Sequence, residues 1–286
     1  MRRIVEPRIR RWSTERLIRL ALASGSTHRG WAAVALLHRR GSPEMLAHIH
    51  ALARSPGARR RVLAMDIAAQ LRAPGHAHDY ESDPYALDQT QAVLMAGLDD
   101  RHPRVLQAAI TGLGHRAAPA ALPALLGHLD NADSGVRLAL AFTLSRHADA
   151  SAIDALMRLA SDRDDDVRDW ATFGLAAISD ADGAEIRALL WANAHDPNRD
   201  VRGEAVVGLA RRSDARVIEL LKTRLLDDDC RVYELEAAGE MPRPELLEPL
   251  QRLRADAERL HDIDPTWHRR LLDAIDACEL VADAAS

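Results

Sequence analysis

A chain of 286 residues with a formal net charge of −5 and only 3% aromatic side chains is long enough for two globular domains or for one row of repeats. No run nears the roughly 20 apolar residues that span a bilayer, and the opening MRRIVEPRIRRW carries charge without the apolar stretch of a secretory signal. Cys230 and Cys278 lie far apart and form no C-x-x-C, so the expectation is a reduced, cytoplasmic protein with no membrane partner.

In chain order, residues 1–12 read as a basic arm with Trp12 as its anchor. Ser13-Thr14-Glu15-Arg16 has the composition of a helix start, and Gly30–Arg40 reads as the partner helix. Ser42-Pro43-Glu44 gives an N-cap, a proline at the first helical position and an acid after it, and Ala58–Leu71 closes that second unit. Residues 73–86 (APGHAHDYESDPYA) break the period and predict an insertion loop, a place where repeat proteins often bind. Regular units are expected over 87–212, and degenerate and capping units over 213–283. Within the latter, Pro244 starts one helix and Asp264-Pro265-Thr266 the last. The expected organisation is therefore a basic arm at 1–12 and one all-α body over 13–283, with irregular units at 13–72.

A recurring frame dictates that organisation. Asp162…Val167-Arg168…Ala171…Leu175 is the clearest copy, and Asp196…Val201-Arg202…Ala205…Leu209 repeats it. Asp100…Val105-Leu106…Ala109…Leu113 and Asp130…Val136-Arg137…Leu140…Leu144 precede them. Asp227…Val232-Tyr233 starts a fifth copy that degrades. The valines stand 31, 31, 34 and 31 residues apart, the sign of stacked supersecondary units. V-x3-A-x3-L puts its apolar residues on one helical face, and a second stripe (Ile153/Leu156/Leu159, for example) runs through the first half of each unit. Each unit is then a helical hairpin that buries its stripe only against its neighbours. Gly112, Gly174 and Gly208, seven after the valine, mark close helix–helix approach.

The pattern D-x4-V-R-x2-A-x2-G-L resembles the HEAT repeat family, in particular the HEAT-like repeats of the phycobilisome lyase type. The resemblance implies an α-solenoid of about eight hairpins with the second helices on the concave face. It also implies an Asp/Arg ladder between neighbouring units, mapped here to Asp162/Arg168 and Asp196/Arg202, with Arg137 near Asp130; Leu106 and Tyr233 break it.

Charge is uneven. Residues 1–72 hold fifteen arginines against four acids, while the remainder holds twenty-three basic residues against thirty-nine acids. Such a dipole can steer a partner. Lys222 is the sole lysine, read as base-composition bias of a bacterial genome.

No catalytic constellation emerges. There is no G-x-S-x-G elbow, no phosphate-binding glycine loop and no evident Cys/His pairing. The thirteen histidines are scattered; His76, His78, Asp79 and Asp83 could converge in the insertion, yet a solvated loop is the simpler reading, so neither metal nor cofactor is expected. Deoxyhypusine hydroxylases, a branch of the same resemblance, hold iron through His-Glu dipeptides, and none occurs here. Asp169-Trp170 is similar to the pairing used by the DNA-alkylation-repeat glycosylases, but its surroundings are acidic, and phosphate binding needs a cationic track.

Asp169, Trp170, Phe173, Glu204 and Glu234 fall off the Val-Ala-Leu face. Either the aromatics pack on the next unit, or these residues form an aromatic and acidic groove on the concave face for a peptide or basic partner. The reading that follows is a non-catalytic scaffold for a protein or peptide partner. A lyase-like or chromophore-attachment subunit is the enzyme-class alternative, and nucleic-acid binding through the Arg-rich N-terminal units is the third.

Overall fold

The computed structural model describes residues 9–74, 83–227, 230–257 and 264–284. His76, His78 and Asp79, most of residues 73–86 and most of the basic arm therefore lie outside the described residues. Those described form sixteen α-helices and no strand; one isolated bridge pairs Arg72 with Pro84. The helices pair into eight hairpins, and the chain is an all-α solenoid of two compact units, Met1–His147 and Ala148–Ser286.

The first unit contains α1 (Thr14–Ser24) with α2 (His28–Leu37), α3 (Pro43–Ala53) with α4 (Ala58–Gln70), α5 (Leu87–Gly97) with α6 (Pro103–His115), and α7 (Leu122–Leu126) with α8 (Ser134–Leu144). The second contains α9 (Ala150–Leu159) with α10 (Asp165–Phe173), α11 (Ala184–Asn193) with α12 (Arg199–Arg211), α13 (Arg216–Arg224) with α14 (Val232–Glu240), and α15 (Leu247–Ala257) with α16 (Pro265–Ala284). In each unit the second helices stack on one another: α4 on α6 and α6 on α8, then α10 on α12, α12 on α14 and α14 on α16.

The helix starts follow from local chemistry. Ser13, Ser42 and Thr27 cap α1, α3 and α2 through their hydroxyls, which accept the amides of Arg16, Met45 and Gly30. Asp164 Oδ1 accepts the amides of Asp166 and Val167 at the head of α10, and Asn198 does the same for α12. Two residues earlier, Asp162 and Asp196 each accept a turn amide, from Asp164 and Asn198.

Val105, Val136, Val167 and Val201 are all fully buried, as the frame demands, and so are Ala109, Ala171 and Ala205. Each such Val contributes on the order of 2 kcal/mol through burial. A Cβ on Gly112 would lie 2.5 Å from Leu94 Cδ2, and one on Gly208 would lie 2.6 Å from Ala176 Cβ, so both mark the close approaches expected of them. Gly174 opens a π-helical turn, Gly174–Ile178, that widens the end of α10.

Two departures from the frame have plain causes. In the second hairpin, Val62 is only half-buried, because α4 starts at Ala58 and its core face falls on Leu63, Ala64 and Ile67. In the fifth copy, α14 starts at Val232 itself, so Val232 is half-buried and Leu235, Ala237 and Ala238 take the core.

Candidate functional site

The arginine-and-aspartate rungs set the stacking on which any site rests. Arg168 Nη1 donates to the Asp162 carbonyl of its own turn, while its Nε and Nη2 donate to both carboxylate oxygens of Asp196 in the next turn, at 2.9 and 3.0 Å. Arg202 Nη1 reaches back to the carbonyls of Asp196 and Pro197, and Arg137, buried, to those of Asn131 and Ala132. In that copy Asn131, not Asp130, holds the turn position, its Oδ1 accepting the Asp133 amide; Asp130 lies one residue upstream and is exposed. The earliest rung is Arg61 with Asp100, bidentate at 2.6 and 3.0 Å, which the frame hid because Arg60 stands where it expects valine. That guanidinium holds the Asp100 carboxyl below the usual carboxylate range.

A second set of arginines closes helix ends. Arg116 donates to the carbonyls of Ala68 and Leu71, and Arg212 to those of Leu175, Ser179, Ala181 and Gly208. Both stand four residues after a close-approach glycine, a spacing readable in the sequence. They satisfy carbonyls that a helix end leaves without partners.

The second unit's stack of second helices carries the acidic and aromatic residues. On α10, Val167 and Ala171 turn inward, which leaves Asp166, Asp169 and Phe173 along another face. Trp170 is 38% exposed and meets Phe173 edge-on, with ring centroids 5.7 Å apart. On α12, Asp200 and Glu204 share a face one turn apart. On α14, Tyr233 lies against Gly203, where a Cβ would come within 2.2 Å of its ring; only glycine admits the ring there. Glu236 and Glu240 follow on α14 and both accept from Arg211, at 3.1 Å each. Arg270 of α16 lies 3.7 Å from Glu236.

Charge on this face is under-compensated. Asp169 Oδ1 is buried and has no hydrogen-bond partner. Burial, with the charges of Asp200 and Asp166, raises the Asp169 carboxyl to about 6. Burial, then the charges of Asp169 and Glu236, raises Glu204 to about 7, with only Arg211 pulling the other way. The Tyr233 phenol is raised by its burial, by Glu204, Asp200 and Asp169, and by its hydrogen bond to Glu204. Each carboxylate is thus held where ionisation is costly and a cation is missing.

Of the residues expected to form a groove, Asp169 on α10 and Glu204 on α12 come close enough for their charges to act on each other, and Trp170 pairs with Phe173 on α10. Glu234 does not join them: its carboxylate accepts the Arg231 amide at the head of α14, and Glu236 stands beside Glu204 instead. Glu236 and Tyr233 escaped the sequence reading because α14 begins late and so rotates its faces. A separate group, Glu15, Glu44 and His48 on α1 and α3, brings two exposed carboxylates and a half-buried imidazole within 4.8 Å of one another, with His48 3.8 and 3.9 Å from the two carboxylates.

Three comparisons bear on this architecture. The family profile described as HEAT repeats matches residues 92–176 and 161–241, together just over half of the chain. Protein YibA of Escherichia coli strain K12 is 36% identical over 120 residues, a stretch covering 42% of this chain and 42% of that relative, so the match spans about two fifths of the relative's length. The X-ray structure of Escherichia coli YibA superposes with a TM-score of 0.73 at 24% identity, covering 96% of this chain and 95% of that one. A crystal structure of a Kap121p mutant superposes with a TM-score of 0.61 at 14% identity, covering 95% of this chain and 36% of that one. The two structural likenesses speak to the fold.

Proposed function

The chain belongs to the HEAT repeat family, and from that premise we propose that it is a non-catalytic scaffold whose stacked second helices bind a protein or peptide partner bearing arginine or lysine. One observation carries this reading: Asp169 and Glu204 stand desolvated and short of countercharge beside an exposed Trp170. A guanidinium or ammonium from a partner would neutralise the pair, and the Trp170 face would receive the aliphatic stem or the cation itself. Repeat proteins present extended surfaces suited to such recognition, and the remaining Asp/Glu excess would speed the encounter at low salt.

The test uses a fluorescent arginine-rich peptide and a glutamate-rich control, with binding followed by anisotropy. The arginine peptide is expected to bind and the control not to. Binding should weaken at least tenfold in Trp170→Ala/Glu204→Gln, with helicity unchanged. A folded double variant that binds as tightly as the parent rules the reading out, as does a parent that binds neither peptide.

A further inference from the structure

A cavity of about 720 Å³ opens in the first unit between α1, α2, α4 and α6, a size that suits a small ligand. It exists because α2 touches α4 along little of its length. Trp31 stands at its lip, half exposed, and Val34 and Val62 form an apolar wall.

The two ends of the cavity ask for opposite things. At one end lies the Asp66 carboxylate. Its backbone is fixed, because His38, kept neutral by burial that lowers it to about 4, donates Nε2–H to the Asp66 carbonyl at 2.9 Å. Among the described residues no donor reaches the carboxylate itself. Burial raises it to about 6, so near neutral pH it is an ionised acceptor in want of N–H groups. Toward the other end, Arg59 and Arg104 stand in the first turns of α4 and α6, with His102 as the cap of α6. His102 Nδ1 accepts the Arg104 amide, which leaves Nε2 as the donor nitrogen of the ring. No ion pair among the described residues joins Arg59 or Arg104 to Asp66, and Asp66 stands seven residues beyond Arg59 on α4, about 10 Å of helical rise, so the anion-seeking end and the donor-seeking end are separate.

That separation selects the ligand. A simple amine would meet Asp66 and leave the arginines unused. A free amino acid carries its ammonium and carboxylate on one carbon and cannot reach both ends. A nucleotide has a flat ring for Trp31, N–H donors on the base and a phosphate at a distance from them. Among the bases, guanine aims two parallel donors, N1–H and the exocyclic amine, at a single carboxylate, whereas adenine would set its ring acceptor N1 against Asp66. We propose that this cavity binds a guanine nucleotide, with the base on Asp66 and against Trp31 and the phosphate between Arg59, Arg104 and His102. The guanine can come from free nucleotide or from a single-stranded RNA, which presents the same chemistry.

Calorimetry on the full chain at pH 7.5 tests it, with GMP, AMP, guanosine and ribose 5-phosphate as probes. GMP is expected to bind at least tenfold more tightly than AMP or ribose 5-phosphate, because a site that hydrogen-bonds a group rejects the analogue lacking it. Asp66→Asn should erase the preference for guanine over adenine. Arg59→Ala/Arg104→Ala, which alters only exposed side chains, should weaken GMP at least tenfold and leave guanosine unchanged. A five-nucleotide RNA with one G, run against its G-free counterpart, separates the sources: tighter binding than GMP assigns the site to RNA, weaker binding to the free nucleotide. Absence of GMP binding at millimolar concentration, equal affinity for GMP and AMP, or an arginine double variant that binds GMP like the parent overturns the proposal. The last outcome decides even if Asp66→Asn does not fold.

Discussion

Glu204 shows what one misplaced charge does to a helical stack. Its folded-state carboxyl lies at about 7 and its ordinary value at 4.5, so between those values the folded chain holds a proton that the unfolded chain has released. Stability therefore falls as pH rises across that window, and Asp169, raised to about 6 from 3.8, adds a fall of the same sign slightly lower. Glu204→Gln keeps an acceptor for Tyr233 and removes the charge. Its expected result is a flatter stability profile between pH 4.5 and 7 and a chain more stable than the parent at pH 8, read from denaturant midpoints at matched ionic strength. A variant with the parent's slope and midpoint would mean that Glu204 ionises without strain. The sequence pointed to Asp169, Trp170, Phe173 and Glu204 because they stand off a face whose period was plain. It could not yield Tyr233 or Glu236, whose places depend on where α14 begins, a one-turn detail that periodicity does not resolve.

At the scale of the element, a rung between hairpins is worth more than an ion pair within one. Arg168 and Asp196 are 12% and 10% exposed, bidentate, and span 28 residues, whereas the neighbouring Asp165 is 61% exposed and only a turn from Arg168. Removing a partner from a mostly covered pair leaves a charge unmet and costs about 2–3 kcal/mol. A surface i,i+3 pair contributes about 0.5 kcal/mol. Asp196→Ala should therefore lower the denaturation midpoint strongly, by about 2–3 kcal/mol, and Asp165→Ala by under about 1 kcal/mol. Equal effects would show that the rung is ornamental. Sequence spacing made the rung visible in outline, since Val-Arg after a turn aspartate recurs. Its true pairing, Arg of one turn to Asp of the next, is a three-dimensional fact that only the stacked helices reveal, and the Arg61–Asp100 rung was hidden by a register two residues off.

At the scale of the whole molecule, the described residues form stacked helices and no sheet, so each hairpin owes its stability to adjacent ones. In the second unit α12 lies between α10 and α14, and buries Val201, Ala205, Val206 and Leu209. Asn193 of α11 ties that hairpin to its predecessor by donating to the Ala160 carbonyl and to Thr172, at 3.0 and 2.9 Å. A cavity made in α12 should consequently be felt on both sides, because nearest-neighbour terms are the currency of a repeat array. Val201→Ala removes two buried methyl groups and should cost about 2 kcal/mol. Native-state hydrogen exchange is the suitable reading, since a loss shared by neighbours is distinguishable from local fraying. Faster exchange is expected in α12 and, to a comparable extent, in α10 and α14, whose amides open together with it. Faster exchange confined to Arg199–Arg211 would show that the hairpins fold as independent pieces.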